Sequence, residues 1–386
     1  MKAWPKVALA KICAPAERYT TPAPGETYRQ LGVRLWGEGA YEREQIDGAD
    51  TKYKNFNYIK SDDLVVNKIW ARNGAVAVAT PQQAGAYVST EFPAFVLNRA
   101  VIVPGWMRLV TKWPGFWQAC NEKAQGTSGK NRINSGRFLA IEIPLPPLEE
   151  QQALVARLDA LAEKTRQVEA HLDAVERHAE HLLALRFRDA VAHAPLRPMA
   201  EVAPLVRREV VIDPEASYTE LGVRSFYKGV FHRRTVSGSD FSWQDLYRIQ
   251  IDDLIFSNIM AWEQAIAIAQ AQDDGCVGNH RMLACEVDRE LAVPGFLWYY
   301  FTTDEGFAKI YAASPGTAAR NRTMTAPALM AINVPTPPLP VQQTFDRLHA
   351  DVTALKARHA AIRQANAALL PATLERVFAP SASPAG

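Results

Sequence analysis

Pro146-Pro147-Leu148-Glu149-Glu150-Gln151-Gln152 opens a run that meets no further proline until Pro195, and the reading of that run decides the fold. The proline doublet marks a helix start, and Glu149 and Glu150 fall in the first turn, where acidic groups suit the positive end of the helix dipole. One helix from Leu148 to Val191 is predicted. Steps of four and three along it pick out Leu154, Leu158, Leu161, Thr165, Val168, Leu172, Val175, Ala179 and Leu182, a heptad repeat that needs a partner helix to cover it. At about 1.5 Å per residue such a helix spans on the order of 60 Å, more than one domain uses, so it reads as a spacer.

The partner lies in the same chain. After Pro337-Pro338 come Leu339-Pro340-Val341-Gln342-Gln343, then Phe345, Leu348, Val352, Leu355, His359, Ile362, Asn366 and Leu369 at the same spacing. Pro340 replaces a first-turn acid, and His359 and Asn366 take seam positions, where polar groups pair across helices, fix their register or simply face solvent. Pro371 predicts a kink near the end of this second helix.

The segment Ile141 to Gln152 matches Ile332 to Gln343 at an offset of 191, and the repeat extends through the chain. Leu31-Gly-Val-Arg34 recurs as Leu221-Gly-Val-Arg224, Ile59-Lys-Ser-Asp-Asp-Leu64 as Ile249-Gln-Ile-Asp-Asp-Leu254, and Gly74 to Ala79 lies opposite Gln264 to Ala269. Gly126-Thr127 with Lys130-Asn131-Arg132 returns as Gly316-Thr317 with Arg320-Asn321-Arg322, again 190 residues on. The chain is one unit written twice, a globular module followed by a long helix. Within the first module short strands are predicted over 57–60, 64–70, 75–79, 86–89 and 94–96, with a helix over 113–123. The pattern restarts near Ala194, with Met199 and Val202 standing where Leu9 and Ile12 stood.

At 386 residues each half is large enough to bury its own core. No apolar run reaches 18 residues, and Pro5, Lys6 and Lys11 interrupt any signal-peptide core, so a cytoplasmic protein with no membrane segment is expected. Cys13, Cys120, Cys276 and Cys285 form no Cys-x-x-Cys pair. Only Cys276, His280 and Cys285 lie close together; the first half has no counterpart, so thiols are expected there rather than a metal site.

Catalytic motifs are missing. The sequence has no Asn- or Asp-Pro-Pro-aromatic tetrapeptide, Gly-x-Gly-x-x-Gly, Walker phosphate loop or His-Glu-x-x-His. Gly126 to Lys130 is too short for a phosphate loop, and Asn131 stands where a Ser or Thr would hold magnesium. The pairs Asp62-Asp63 and Asp252-Asp253 read better as turn formers entering apolar strands than as metal-nuclease ligands. A unit repeated without any catalytic group is expected to bind.

Lys130, Asn131 and Arg132 and their twins Arg320, Asn321 and Arg322 are the candidates for an anionic polymer, since Lys and Arg pair with phosphate or guanine edges and Asn with adenine. Residues 1–148 carry 19 Lys+Arg against 12 Asp+Glu, but residues 194–338 carry 13 against 17. The second module therefore needs a local basic face, for which Arg207, Arg208, Arg233, Arg234, Arg320 and Arg322 are available. Trp36, Trp70, Trp243 and Trp262 are expected in cores rather than against bases.

The order of module, Ile-Pro-x-Pro-Pro-Leu-x-x-Gln-Gln, long helix, second module, Val-Pro-x-Pro-Pro-Leu-x-x-Gln-Gln, long helix resembles the DNA-specificity subunit of type I restriction-modification enzymes over nearly the whole chain. Leu370-Pro371 to Phe378 is also similar to that family's closing stretch. The resemblance implies an α+β fold in which two tandem, β-rich target-recognition domains are separated by two long antiparallel helices forming a coiled-coil rod. Its divisions would be a first recognition domain at 1–142, a first spacer helix at 143–193, a second recognition domain at 194–333, a second spacer helix at 334–380 and a tail at 381–386. Each domain would read one half of a bipartite double-stranded DNA target. Two methyltransferase subunits and the motor-nuclease subunits would be partners, holding S-adenosylmethionine, ATP and magnesium, with no cofactor in this chain. A specificity subunit of another defence system would look alike, and a coiled-coil scaffold would be told apart by lacking salt-sensitive DNA binding.

Overall fold

Both long helices form, over Leu148–Val191 and Leu339–Phe378. The second continues through Pro371 to Phe378. The computed structural model describes residues 4–125, 131–241, 245–316 and 322–378. It divides into two compact units, one made of residues 1–172 with 359–386 and the other of residues 173–358. These units cut across the linear division into modules and spacers, because each takes a part of both long helices.

In the first unit a four-stranded antiparallel sheet runs in the order Val76–Val78, Leu64–Val66, Ala94–Leu97, Cys13–Pro15. Leu64 and Val66 enter one core with Phe95, Trp106 and Phe116, while Val65 enters another with Leu31, Ala77 and Val88. The period-two alternation of a strand thus explains why this short run is apolar at every position. Lys6–Ala8 pairs with Glu142–Pro144, which brings the start of the module beside the entrance of the first long helix. Helix Pro104–Thr111 was not anticipated from the sequence; helix Pro114–Lys123 was.

The second unit repeats the plan. Leu254–Ser257 lies between Ile266–Ile268 and Met282–Cys285, with Leu254 and Phe256 in one core and Ile255 in another. Leu196–Pro198 pairs with Asn333–Pro335, and helices Pro294–Thr302 and Asp304–Ala312 follow the sheet.

The doubled Pro-Pro-Leu-x-x-Gln-Gln junction has a direct physical explanation. Gln151 is fully buried; its Oε1 accepts from Val103 N at 2.8 Å, and its Nε2 donates to Val101 O at 3.1 Å and Pro146 O at 2.8 Å. Gln342 does the same with Val293 N at 3.0 Å, Leu291 O at 2.9 Å and Pro337 O at 2.7 Å. Each amide satisfies the buried backbone of a neighbouring loop and pins the helix start to its module.

The acidic pairs are structural too, as turn formers. Asp62 and Asp252 adopt left-handed backbone with φ of 67° and 68°, a conformation that short polar side chains tolerate. Asp63 is buried against Arg18 at 2.7 and 2.8 Å and accepts from Lys60 N at 2.7 Å; Asp253 pairs with Arg208 at 2.7 and 3.1 Å and accepts from Gln250 N at 2.9 Å.

The helix seam departs from the strict heptad. Leu158, Leu172, Phe345 and Val352 are buried, and Leu154, Leu161, Val175, Leu348 and Leu355 are partly covered. Val168, Leu182, Ile362 and Leu369 are instead about two-fifths exposed, and Leu183, Arg363 and Leu370 turn inward one residue later than expected. Leu172 to Leu183 and Val352 to Arg363 to Leu374 are steps of eleven. A straight α-helix drifts about 20° per heptad unless it supercoils, and an eleven-residue step follows that drift. The polar seam residue Asn366 donates to Glu169 Oε1 at 3.2 Å, and Arg363 Nε meets Glu169 Oε2 at 3.3 Å. His359 is buried. Leu183→Ala is expected to destabilise the second unit by about 2–5 kcal/mol, and Leu182→Ala by less than about 0.5 kcal/mol. Urea unfolding of both variants checks this, and equal losses would restore the strict heptad.

Candidate nucleic-acid interface

In the second unit Ser217–Val223 pairs antiparallel with Val230–Ser237, with a register shift between Glu220 and Leu221. Phe231 lies across Gly222 so closely that a Cβ there would sit 2.5 Å from the ring. Gly32 has the same relation to Tyr41 in the first unit, at 2.6 Å. Glycine is required at both because a ring packs flat on the backbone of the neighbouring strand.

On the outer strand His232, Arg233, Arg234 and Thr235 are exposed. Arg234 Nε donates to Glu220 Oε2 at 2.7 Å, and His232 Nε2 lies 2.9 Å from the buried Asp273 Oδ1. Arg233 has no side-chain partner among the described residues. It lines a cleft of about 410 Å3 with Phe231, Ile259, Asn279 and Arg281. The Arg281 guanidinium is also unpartnered among the described residues, whereas its backbone N–H donates to Asn279 Oδ1 at 3.0 Å.

The remaining basic candidates are distributed differently. Lys130, Arg320 and Asn321 lie outside the described residues. Asn131 is half-buried, and Arg132 is held in a backbone bridge to Gln125, with Nη1 3.4 Å from Glu91 Oε1. Arg322 donates to Ser314 O at 3.0 Å and lies 3.9 Å from the centre of the Tyr311 ring. Arg207 stacks 4.5 Å from the centre of the Tyr247 ring and donates to Met282 O, and Arg208 is bound to Asp253 and Glu286. Burial opposes the charge on Arg208, but these two carboxylates outweigh it and raise its pKa. Of the expected basic face on the second unit, Arg233 is the described member left uncommitted.

Two aromatics stand where core packing was expected to hold them and do not. Trp36 is 55% and Trp70 45% exposed. Trp36 sits in a left-handed conformation with φ of 58°, held by its N–H to Asn73 O at 2.7 Å, and its ring meets Trp117 edge-on at 5.7 Å. Phe226 occupies the corresponding place in the second unit, 63% exposed with φ of 62° and its N–H on Glu263 O. Trp262 is half-buried, with Nε1 on Ile259 O, and Trp243 lies outside the described residues.

No group of His, Cys, Asp and Glu among the described residues is arranged to hold a metal ion. Cys276 lies 3.8 Å from His232 Nε2. Cys13, Cys120, Cys276 and Cys285 are free and buried. Burial pushes the Cys13 and Cys120 thiols up to about 12, and those of Cys276 and Cys285 also upward, so they stay protonated and unreactive at neutral pH. Among the described residues no helix is long and apolar enough to cross a membrane.

Sequence reasoning missed Phe231, Asn279 and Arg281. A signal for Arg281 was present: at the offset of 190 it faces Glu91, an exchange of charge in a setting that otherwise repeats.

The family model described as type I restriction modification DNA specificity domain matches residues 4–177. The fold is similar to that of the HsdS subunit from Thermoanaerobacter tengcongensis, with a TM-score of 0.66 and 19% identity over 98% of this chain and 97% of that one. A second similar structure, with a TM-score of 0.68 and 17% identity over 98% of both chains, comes from work on complex assembly and conformational transition of the type I R-M system. No curated protein matches the sequence.

Proposed function

Since residues 4–177 match the family model of the type I restriction modification DNA specificity domain, we propose that the chain is the DNA-reading subunit of a type I restriction-modification complex. Each unit recognises one half of a two-part duplex target. The observation that carries this reading is the duplication: the same strand-and-turn framework is built twice, with different polar side chains set into it. Two copies of one reader with different contents suit a target of two unlike halves.

The chain itself is non-catalytic. It assembles with methyltransferase subunits, which hold S-adenosylmethionine and methylate adenine N6, and with ATP- and magnesium-dependent restriction subunits. Two methyltransferase subunits match a junction that occurs twice. The test is methylome sequencing of a host expressing this chain with its methyltransferase, against the methyltransferase alone. Adenine methylation at a two-part motif that needs this chain supports the reading; a soluble complex that adds no methylation refutes it.

The long helices, each shared by both units, act as the ruler for the unread gap. Inserting seven helical residues beside Leu172 and seven beside Arg358 adds about 10 Å at 1.5 Å per residue. The gap is expected to grow by about three base pairs at 3.4 Å each, with both half-sites unchanged. A motif with the original gap would exclude the ruler.

A further inference from the structure

The residues around the cleft of the second unit and those at the corresponding positions of the first share a framework. Asn258 N donates to Arg281 O at 2.9 Å and Met324 N to Asn258 O at 2.8 Å; Lys68 N donates to Glu91 O at 3.1 Å and Ile133 N to Lys68 O at 2.9 Å. Gly222 under Phe231 matches Gly32 under Tyr41, and Ile259 and Arg233 match Ile69 and Arg43 at the offset of 190. Arg43, like Arg233, is exposed without a side-chain partner among the described residues. Against this constant setting the polar positions vary: Lys68 corresponds to Asn258, Ser89 to Asn279, and Glu91 to Arg281 at the offset of 190.

We propose that this cleft reads base edges in the major groove, and that Arg281 is the residue that fixes a guanine in the half-site of the second unit. The proposal rests on the DNA-reading function above and goes on to name the residue that selects. A guanidinium only donates, and its two-pronged edge fits the O6 and N7 acceptors of guanine. A carboxylate only accepts: Glu91, whose Oε1 lies 3.4 Å from Arg132 while its Oε2 is buried without a partner among the described residues, takes the N4 amine of cytosine. Glu91 and Arg281 therefore cannot demand the same base from the same position, which gives one framework two specificities. Arg233 and Arg43, alike at the two corresponding positions, carry no such distinction and serve the phosphate backbone or a base common to both halves. Asn258 Oδ1, between the cleft residues Ser257 and Ile259 in sequence, is buried without a partner among the described residues, an acceptor that an internal water would satisfy.

The test maps the methylated motif directed by the full complex carrying Arg281→Ala, Arg281→Gln, Arg281→Glu or Glu91→Gln. The Arg281 variants are expected to relax one position of one half-site, lowering its discrimination for guanine by roughly tenfold to a hundredfold, and Arg281→Glu to favour cytosine there. Glu91→Gln is expected to alter the other half-site only. An unchanged motif with both Arg281→Ala and Arg281→Gln overturns the proposal, as does a uniform fall in methylation at every site, which marks a phosphate contact. Arg281→Gln keeps a long polar side chain should the alanine variant fail to assemble. If the unsubstituted chain directs no two-part motif, the DNA-reading function has failed before this inference is reached.

Discussion

Phe378→Ala is expected to destabilise the first unit by about 3–5 kcal/mol and leave the second intact. Phe378 is 1% exposed, lies 5.1 Å from the Trp113 ring in a stacked arrangement and 4.9 Å from Trp106, and is accompanied by the buried Leu374. Glu375 Oε2 accepts from Trp113 Nε1 at 2.9 Å, so the end of the second long helix is locked into that core. At an offset of 191 the equivalent residue is Phe187, packed among Phe296, Tyr299 and Phe345 at 4.9 to 5.1 Å in the second unit. Phe187→Ala should therefore strike the second unit by a similar amount. Against a usual domain stability of about 5–15 kcal/mol either loss is severe. Hydrogen exchange on the strand amides of 64–66 and 254–256 reads each unit separately. If Phe378→Ala accelerates both sets alike, the assignment of this helix end to one core is wrong.

Asp63→Ala is expected to cost about 3–5 kcal/mol, because removal of one partner strands a charge in a mostly buried site, and Asp253→Ala less, because Glu286 stays 2.9 Å from the Arg208 guanidinium. The side chains of Asp63 and Asp253 are 3% and 2% exposed, and those of Arg18 and Arg208 are 23% and 20%. The aspartate hydrogen bond is the main cause raising the Arg18 pKa. Each aspartate also serves a backbone N–H in its turn, which the alanine leaves unpaired. A double replacement, Arg18→Met with Asp63→Leu, should recover much of the loss, since an apolar pair of similar volume often does as well as a buried ion pair. A double-mutant cycle by urea unfolding measures this. A double variant as unstable as the sum of its parts would mean that the pair contributes more than its two charges.

Much of this architecture was legible in residues. The offset of 190 and the Pro-Pro-Leu junction located both modules and both long helices, because a duplicated fold repeats its buried positions, but not the two units, each of which takes part of both helices. Other features were not legible, each for a definite reason. The exposure of Leu182 depends on helix drift, which a heptad template suppresses. Helix Pro104–Thr111 opens with Pro-Gly, a pattern that reads as a turn; Gly105 is there because a Cβ would lie 2.6 Å from Val155 Cγ1, a contact with the distant first long helix. The commitment of Arg234 to Glu220 arises across a hairpin, and that of Arg322 to Tyr311 across a loop. Counting basic residues could not separate these from Arg233. Trp36 and Trp70 were assigned to the core by the usual preference of large aromatics, which a left-handed turn at Trp36 overrides.

The composition of the first unit has a consequence for its birth on the ribosome. Its core needs Leu374 and Phe378, yet its sheets and Trp106 belong to residues translated long before. The second unit is a single continuous segment, residues 173–358. The half that is made second can thus mature first, while Trp106 and Trp113 wait for a helix still to be synthesised. At about 5–20 residues per second that wait is on the order of fifteen to fifty-five seconds.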